Sequence, residues 1–433
     1  MINRGYKFRI YATGEQEALL GQFSGVCRLI YNLGLEQRRD WWRNFRDTIG
    51  GNISYVSQAR ELTELRAEFD WISAVSIIPQ QQALRDLDKA YQSFFSGRAE
   101  YPSPRKRGIN DSFRFCGPTC SWRKLNAKWA LVRLPKIGEV KFRLTRNIPG
   151  KIKNVTIIKD ALGWHVVFST ELEHDSPENS GPAVGIDRGI VHAVALSDGR
   201  FLDMPKERLK LLDRRARKHQ KMLSRRKKGS NRRAVALRLF QRVKAKSARL
   251  RLQWNHEHTT EIAGTFGVVV IEALKTKNMT ASATGTVVEP GKNVRQKAGL
   301  NRAILENGWY QFETLLSYKL SERGAELRKV NPAYTSQCCS ECENVDQKSR
   351  ESQSVFNCKN CGHTAHADTN AAINILRAGT QPAQRNAVRR PMKRELKREA
   401  SVSLGNPKPL EAGKMLSAGR SRSIGPIRPS LEI

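Results

Sequence analysis

The chain has 433 residues, of which 39% are hydrophobic, so it is long enough and apolar enough for two or three domains with packed cores. Its 76 Lys and Arg residues against 41 Asp and Glu residues give a formal net charge of +35, which predicts a nucleic acid partner rather than basic faces that are merely solvated. No apolar run approaches about 20 residues and no apolar signal region follows Met1, which argues against a membrane or secreted protein and favours the cytoplasm.

The first hundred residues predict a short strand followed by a small helical bundle. Residues 6–11 alternate like a strand, and from Glu15 onward the apolar residues have helical spacing. Helical patterns continue through 35–45, 56–69 and 80–95, with Gly50-Gly51 and Pro79 as predicted breaks.

A β-barrel or sheet module is predicted next, after the turn-rich segment that starts at Tyr101. Its strands alternate between apolar and polar residues: Ser112–Phe115, Trp129–Leu134, Glu139–Leu144, Val155–Ile158 and Trp164–Thr170. Basic and aromatic residues alternate in Phe113-Arg-Phe115 and adjoin in Trp122-Arg-Lys124. These aromatic rings could stack on nucleic acid bases or could belong to the core, and the pattern leaves both interpretations open.

Three carboxylates stand where predicted strands end or a helix begins. Asp187 closes a short apolar run, and Glu272 closes a run of β-branched residues that indicates a strand buried on both faces. Asp368 precedes a helical pattern, where it could serve as the N-cap. Singly, each acid can serve a turn or a cap. Together they supply hard oxygen ligands that suit a pair of Mg²⁺ ions for phosphodiester hydrolysis.

Between the last two acids, the cysteines predict a structural zinc site. Two CxxC motifs stand fifteen residues apart, formed by Cys339, Cys342, Cys358 and Cys361. Four thiolates complete a tetrahedral zinc site and leave no open position for catalysis, so this zinc should stabilise the loop. Cys338 adjoins the first motif and could compete for the metal, whereas His363 and His366 are interpreted as phosphate-facing or structural residues.

The segment 206–251 has twenty Lys or Arg residues and only two acids, with apolar residues at helical spacing. The pattern predicts two amphipathic helices that turn near Lys228-Gly-Ser-Asn231. Such a surface can follow a phosphate backbone regardless of base sequence. A solvated helical arm is the alternative.

The order of these motifs resembles that of the TnpB (OrfB) family of transposon-encoded, RNA-guided nucleases, relatives of compact type V CRISPR effectors. The resemblance covers about residues 182–377 and departs from the family pattern at Ala273 and Cys338. It rests on these motifs: Gly185-Ile-Asp187-Arg-Gly189, Val270-Ile-Glu272-Ala-Leu274, Gly308-Trp309-Tyr-Gln-Phe312, Thr335-Ser-Gln, the two CxxC motifs, and Ala367-Asp368-Thr-Asn-Ala-Ala-Ile-Asn-Ile-Leu376.

The resemblance implies an α/β fold with a β-barrel and a helical lobe, and its domains agree with the boundaries set by composition. We expect a wedge β-barrel (1–12 and 100–180) interrupted by a helical recognition bundle (13–99), then an RNase H-like (RuvC) nuclease domain (181–334 and 366–378) with an inserted four-cysteine zinc ribbon (335–365), and finally a basic tail (379–433). The tail's composition predicts disorder.

The resemblance also implies a nucleoid-associated protein with a guide RNA transcribed from the transposon end. It would cut double-stranded target DNA beside a short flanking motif, with two catalytic Mg²⁺ ions on Asp187, Glu272 and Asp368 and one structural Zn²⁺. Two other classes stay open: a guided DNA-binding regulator without cleavage, and an unguided structure-specific RuvC-like nuclease. The intact acids argue against the first, and the large N-terminal half and zinc insertion argue against the second.

Overall fold

The structure is a computed structural model that describes residues 1–45, 53–175, 177–286 and 288–381. The predicted break at Gly50-Gly51 and all but the first three residues of the predicted tail lie outside these ranges. Across the described residues, no helix combines the length and the apolar composition needed to cross a membrane.

An antiparallel sheet is built from the first strand of the chain and six later ones. Its strands are β1 (Ile2–Tyr11), β2 (Ser112–Cys116), β3 (Ser121–Lys124), β4 (Trp129–Leu134), β5 (Gly138–Arg143), β6 (Lys151–Asp160) and β7 (Gly163–Leu172), in the order β2-β6-β7-β1-β5-β4-β3. β1 pairs with β7 along residues 2–9 and with β5 at Ile10 and Tyr11, so it joins the two halves of the sheet. In the described ranges β2 and β3 are edges, and hydrogen bonds do not close the sheet into a barrel.

The aromatic residues of the two basic and aromatic segments differ in burial. Phe113 and Phe115 are buried, with ring centroids 5.4 Å and 6.2 Å from Phe23 of the helical segment. Trp122 is half-buried and its ring lies 6.4 Å from those of Phe142 and Phe168. The base-stacking interpretation is therefore wrong for Phe113 and Phe115, because alternation turns them inward, and it stays a prediction for the partly exposed Trp122.

Four helices occupy the described residues between β1 and β2: α1 (Gly14–Asn44), α2 (Tyr55–Glu68), α3 (Asp70–Ser73) and α4 (Ile77–Phe95). α1 begins at a capping box in which Thr13 and Gln16 each accept a hydrogen bond from the other's backbone amide. Pro79 was predicted to break a helix, but it lies in the first turn of α4. Proline is tolerated there because an amide in the first turn has no helical acceptor.

A second, mixed sheet follows, with the order β10-β9-β8-β11-β12. Its strands are β8 (Ala183–Asp187), β9 (Val194–Leu196), β10 (Phe201–Leu202), β11 (Val268–Glu272) and β12 (Glu326–Val330). β8, β9 and β10 are antiparallel, whereas β11 pairs in parallel with both β8 and β12. The crossovers that parallel strands require are helical: α5 (Lys206–Ser224), α6 (Asn231–Thr265), α7 (Thr276–Met279), α8 (Val294–Asn307) and α9 (Trp309–Glu322).

The last described helix, α10 (Ala367–Thr380), packs across the centre of the mixed sheet. It follows a short hairpin of β13 (Val355–Asn357) and β14 (Thr364–His366) without a gap. The contact is close at Gly185 of β8, where an added Cβ would lie 2.1 Å from the Ala372 carbonyl oxygen and 2.6 Å from the Leu376 nitrogen. Only a residue without a side chain fits between β8 and α10 here.

We expect Gly185→Ala to destabilise the protein by about 1–3 kcal/mol, the usual cost of overpacking, because the methyl group must push α10 away from β8. Gly264→Ala is the matched control: Gly264 is a solvent-exposed residue of α6, and a Cβ there meets nothing within 4 Å. Alanine at that helix position should leave the free energy of unfolding unchanged or raise it by about 0.5–1 kcal/mol. Urea denaturation of both variants measures the difference, and equal stabilities would contradict the close-contact interpretation.

Candidate active site and metal centre

The three predicted acids converge at one edge of the mixed sheet. β8 and β11 are adjacent and parallel, with Ile186 opposite Ile271, so Asp187 and Glu272 end neighbouring strands at the same edge. Asp368 reaches this edge from the first turn of α10, and its Oδ2 lies 3.9 Å from the Cβ position of Gly189. The sequence placed the acids at element ends, and the parallel pairing brings those ends together.

One interpretation of the sequence made Asp368 the N-cap of α10, but it does not cap this helix. The N-cap is His366, whose Nδ1 accepts a hydrogen bond of 3.3 Å from the backbone amide of Asp368. The carboxylate of Asp368 is buried and accepts instead from Nη2 of Arg350 at 3.2 Å. Because another residue supplies the cap, this carboxylate can contribute to the cluster.

The electrostatics of the cluster fit a site for divalent cations. Burial raises the pKa of Asp187 to about 7, and the negative charges of Glu272 and Asp368 add to the effect, whereas Arg350 and Arg188 oppose it. Burial also raises the pKa of Glu272, against the lowering effects of a hydrogen bond from Thr335 and the charge of Arg188. Partly desolvated acids of like charge are the environment in which a bound cation relieves repulsion. Hard carboxylate oxygens are also the ligands that Mg²⁺ prefers.

Arg188 holds the ends of the two strands together. Its guanidinium is buried, pairs with Glu313 of α9 at 2.7 Å and donates to the backbone carbonyl oxygen of Glu272. Lys329 of β12 pairs with the same Glu313 at 2.6 Å. The ion pairs thus connect β8, β11, β12 and α9 directly behind the acids.

Sequence reasoning assigned no role to three residues that contact the acids. Arg188 and Thr335 stand inside the motifs that carry the family resemblance, and their positions beside Asp187 and the first cysteines were a usable signal. Arg350 lies in Gln347-Lys-Ser-Arg-Glu-Ser352, where no apolar period or motif marks it. Only the folded structure brings Arg350 to Asp368.

The four predicted cysteines form a cluster suited to one metal ion. Their sulfur atoms all lie within 4.8 Å of one another, with 3.8 Å between Cys339 and Cys361 and 3.5 Å between Cys342 and Cys358. A tetrahedral zinc with bonds of about 2.3 Å would place its sulfur ligands about 3.8 Å apart. Hydrogen bonds from the backbone amide of Asn344 and the side chain of Asn360 lower the pKa of Cys342, whereas burial raises the pKa of Cys339.

Cys338 lies outside this cluster, although it is adjacent in sequence. Its Sγ contacts the backbone carbonyl oxygens of Cys339 and Glu343 at 3.6 Å and 3.5 Å. His363 contacts Ser340, and His366 caps α10; neither belongs to the four-cysteine group. His366 thus has a structural contact, and the choice between phosphate-facing and structural roles stays a prediction for both histidines.

The predicted basic hairpin consists of α5 and α6. Residues 225–230 form the turn between them, and Ser230 is the N-cap of α6. Small residues lie between the helices, with Ala216 and Ala236 both buried. α6 extends beyond the predicted pattern to Thr265 and carries Arg249, which pairs with Asp160 of β6 at 2.9 Å. A shallow concave surface of α5 is lined by Arg214, Arg217, Lys218, Lys221, Met222 and Arg225.

Three family models match the chain. They are an OrfB/IS605-type model described as a helix-turn-helix domain (residues 1–47), an OrfB/IS605-type model described as a probable transposase (167–283), and a Cas12f1-like TNB domain (309–375). In this chain the described part of the first match is the strand β1 followed by the helix α1, not two helices.

Relatives and solved structures match over most of the length. An Escherichia coli K12 protein named "Putative RNA-guided DNA endonuclease InsQ" is 38% identical over 381 residues, which cover 87% of this chain and 92% of that protein. A Streptomyces pristinaespiralis protein named "Putative RNA-guided DNA endonuclease" is 33% identical over 87% of this chain and 90% of that protein. A solved Cas12f1–sgRNA–target DNA complex has a similar fold, with a TM-score of 0.54 at 14% identity over 84% of this chain and 83% of that one. Since these similarities span both halves of the chain, it belongs to the OrfB (TnpB) family.

Proposed function

We propose that this protein is a transposon-encoded, RNA-guided DNA endonuclease that cuts double-stranded target DNA beside a short flanking motif. The observation that carries the proposal is the convergence of Asp187, Glu272 and Asp368 at one sheet edge, in a chain whose near-full-length relatives are named putative RNA-guided DNA endonucleases. The guide RNA would derive from the transposon end, as the family resemblance implies.

Strand order supports an RNase H-like (RuvC) assignment for the second half of the chain. Three antiparallel strands are extended on one side by two parallel strands, and acids stand at the ends of β8 and β11. We assign residues 181–334 and 366–378 to this nuclease domain and 335–365 to the zinc ribbon. Residues 1–12 and 100–180 would form the wedge, and 13–99 the recognition lobe.

In the proposed mechanism Asp187, Glu272 and Asp368 would hold two Mg²⁺ ions; when bound, such ions would activate a water and stabilise the departing oxygen of the phosphodiester. Burial first, and then the charges of Glu272 and Asp368, raise the pKa of Asp187 to about 7, so a bound cation would favour its ionised form. Arg188 fixes the backbone of Glu272 against α9 and so sets the separation of the two strand ends. Arg350 adds a positive charge beside Asp368.

The basic helices would hold nucleic acid by its backbone, because exposed cations contact phosphates without reading bases. Target sequence would then be read by base pairing with the guide, as in other RNA-guided nucleases. The large positive charge of the chain, +35, suits a protein that holds both RNA and DNA.

Asp187→Ala should lower the rate of target cutting by about 1,000-fold or more, because metal-assisted stabilisation of the transition state contributes several kcal/mol. Guide RNA binding should not change. The matched control is Asp213→Ala, which removes an acid of α5 paired with Arg217 and should change the rate less than about twofold. The measurement is single-turnover cleavage of a plasmid with and without guide RNA. Retained cutting by Asp187→Ala would refute the site, and cutting without RNA would favour the unguided nuclease.

The zinc content of two variants should distinguish a cysteine that binds the metal from the adjacent Cys338, which does not. Cys342→Ser removes a ligand of the cluster and should lose most bound zinc and melt the ribbon, whereas Cys338→Ser should keep about one zinc per chain. Elemental analysis of the purified full-length variants measures this difference. Equal zinc loss in both variants would mean that Cys338 is a ligand.

Replacing Lys218 and Lys221 together by alanine should weaken binding of non-target duplexes. The slope of log affinity against log salt concentration should become shallower by about 2, since each phosphate contact contributes about 0.9 to it. Both residues are exposed on the concave surface of α5. The control is the double substitution of the same residues by arginine, which keeps both charges. An unchanged slope in the alanine variant would place the nucleic acid elsewhere.

A further inference from the structure

The residues that lead into the first cysteine pair contact both candidate metal centres. Thr335 is 3% exposed, and its Oγ1 donates a hydrogen bond of 2.6 Å to Oε1 of Glu272. Four residues later, Cys339 contributes its sulfur to the four-cysteine cluster. A segment of five residues, 335–339, therefore joins an acid of the catalytic site to a ligand of the zinc site.

Two buried amides on α10 hold this segment in place. Asn370 accepts from the backbone amide of Ser340 at 2.9 Å and donates to the carbonyl oxygen of Cys338 at 2.8 Å. Asn374, one turn further along, donates to the carbonyl oxygens of Thr335 and Cys338 at 3.0 Å and 2.7 Å. Both asparagines are 0% exposed, so water cannot replace these hydrogen bonds without opening the contact.

The same helix carries the third acid in its first turn, two residues before Asn370. The ribbon also reaches that acid directly, through the pair between Arg350 and Asp368. Movement of the first cysteine pair would therefore affect Glu272 through Thr335, and Asp368 through α10 and Arg350.

The backbone has an unusual conformation on both sides of the first cysteine pair, which indicates that surrounding contacts constrain this segment. Tyr334 has a φ of 66° and Glu343 a φ of 59°, which is the left-handed region that non-glycine residues rarely adopt. Such conformations persist where surrounding contacts impose them. Without a closed cysteine cluster, the chain around Thr335 has less to hold it in this arrangement.

We propose that Thr335 is a positioning residue for Glu272, and that Asn370 and Asn374 transmit closure of the cysteine cluster to the cation site formed by the acids. The inference rests on the proposed metal-dependent function. The Thr335 hydroxyl fixes one oxygen of Glu272 and so directs the other; hydrogen bonds of this kind typically change metal affinity by about 10-fold to 100-fold. The coupling is reciprocal: the factor by which bound zinc strengthens cation binding at the acids is also the factor by which a cation at the acids strengthens zinc binding.

The test measures Mn²⁺ binding to the full-length protein through the relaxation rate of water protons, counting only the binding that Asp187→Asn abolishes. Thr335→Val replaces the hydroxyl by a methyl group of similar size and should weaken Mn²⁺ binding by about 10-fold to 100-fold. Thr335→Ser keeps the hydroxyl and should restore the affinity to within about threefold of the wild type.

Zinc removal by a chelator, followed by dialysis, tests the transmission. Mn²⁺ affinity should fall in the wild type but change little further in Thr335→Val or Asn374→Ala, because the connection is already broken there. Zinc content and thermal unfolding of the zinc-loaded variants confirm that each one is folded.

Two outcomes would overturn the proposal: equal Mn²⁺ affinity in the wild type and Thr335→Val, or a wild-type affinity that zinc removal does not change. A protein with no Mn²⁺ binding that depends on Asp187 would instead overturn the proposed catalytic site itself. A protein that shows the coupling but cuts no DNA would contradict the proposed function and leave the coupling standing.

Discussion

Three acids of like charge at a partly desolvated sheet edge are unstable together unless something compensates them, and much of the second half of this protein is arranged around that conflict. A rise in the pKa of Asp187 from its ordinary 3.8 to about 7 corresponds to on the order of 4 kcal/mol of disfavoured ionisation. The fold does not remove the cost by spreading the acids apart. It holds them on rigid elements, and under the proposed mechanism cations would neutralise their charge.

The rigidity comes from contacts that tolerate little substitution. Gly185 lets α10 approach β8 closely, and Gly379 does the same near Val270 of β11, where a Cβ would lie 2.4 Å from the valine side chain. Arg188 and Glu313 tie the strand ends to α9 from behind. Asn370 and Asn374 then attach the segment that leads into the four-cysteine cluster to the same helix. Each acid is thus held by a different element, and each element is fixed by contacts away from the acids.

Sequence patterns predicted what depends on local periodicity and failed where tertiary contacts decide. Asp187 and Glu272 were found because buried strands have continuous apolar runs whose ends are visible in the sequence. β12 was not predicted, because Glu326-Leu-Arg-Lys-Val alternates poorly and becomes a strand by pairing with β11. Pro79 was taken for a break because a first-turn proline cannot be told from a helix breaker without knowing where the helix begins. Arg350 was missed because its partner Asp368 is eighteen residues away and only the fold of the ribbon joins them.

The charge of the whole chain and the charge of its site have opposite signs, and this contrast bears on how cutting would be controlled. A net charge of +35 attracts nucleic acid, but at physiological salt exposed charges act over about 8 Å. A phosphate that approaches the acids meets the charges of Glu272 and Asp368, which act on Asp187 and are opposed by Arg350 and Arg188. Under the proposed mechanism, nucleic acid would bind strongly to the basic surface, while entry of a phosphate between the acids would become favourable only once cations neutralise them. The Lys and Arg side chains that would attract nucleic acid stand on α5 and α6, whereas the repelling carboxylates stand on other elements. An active site with such a local barrier would therefore be compatible with a surface that binds RNA and DNA over a wide area.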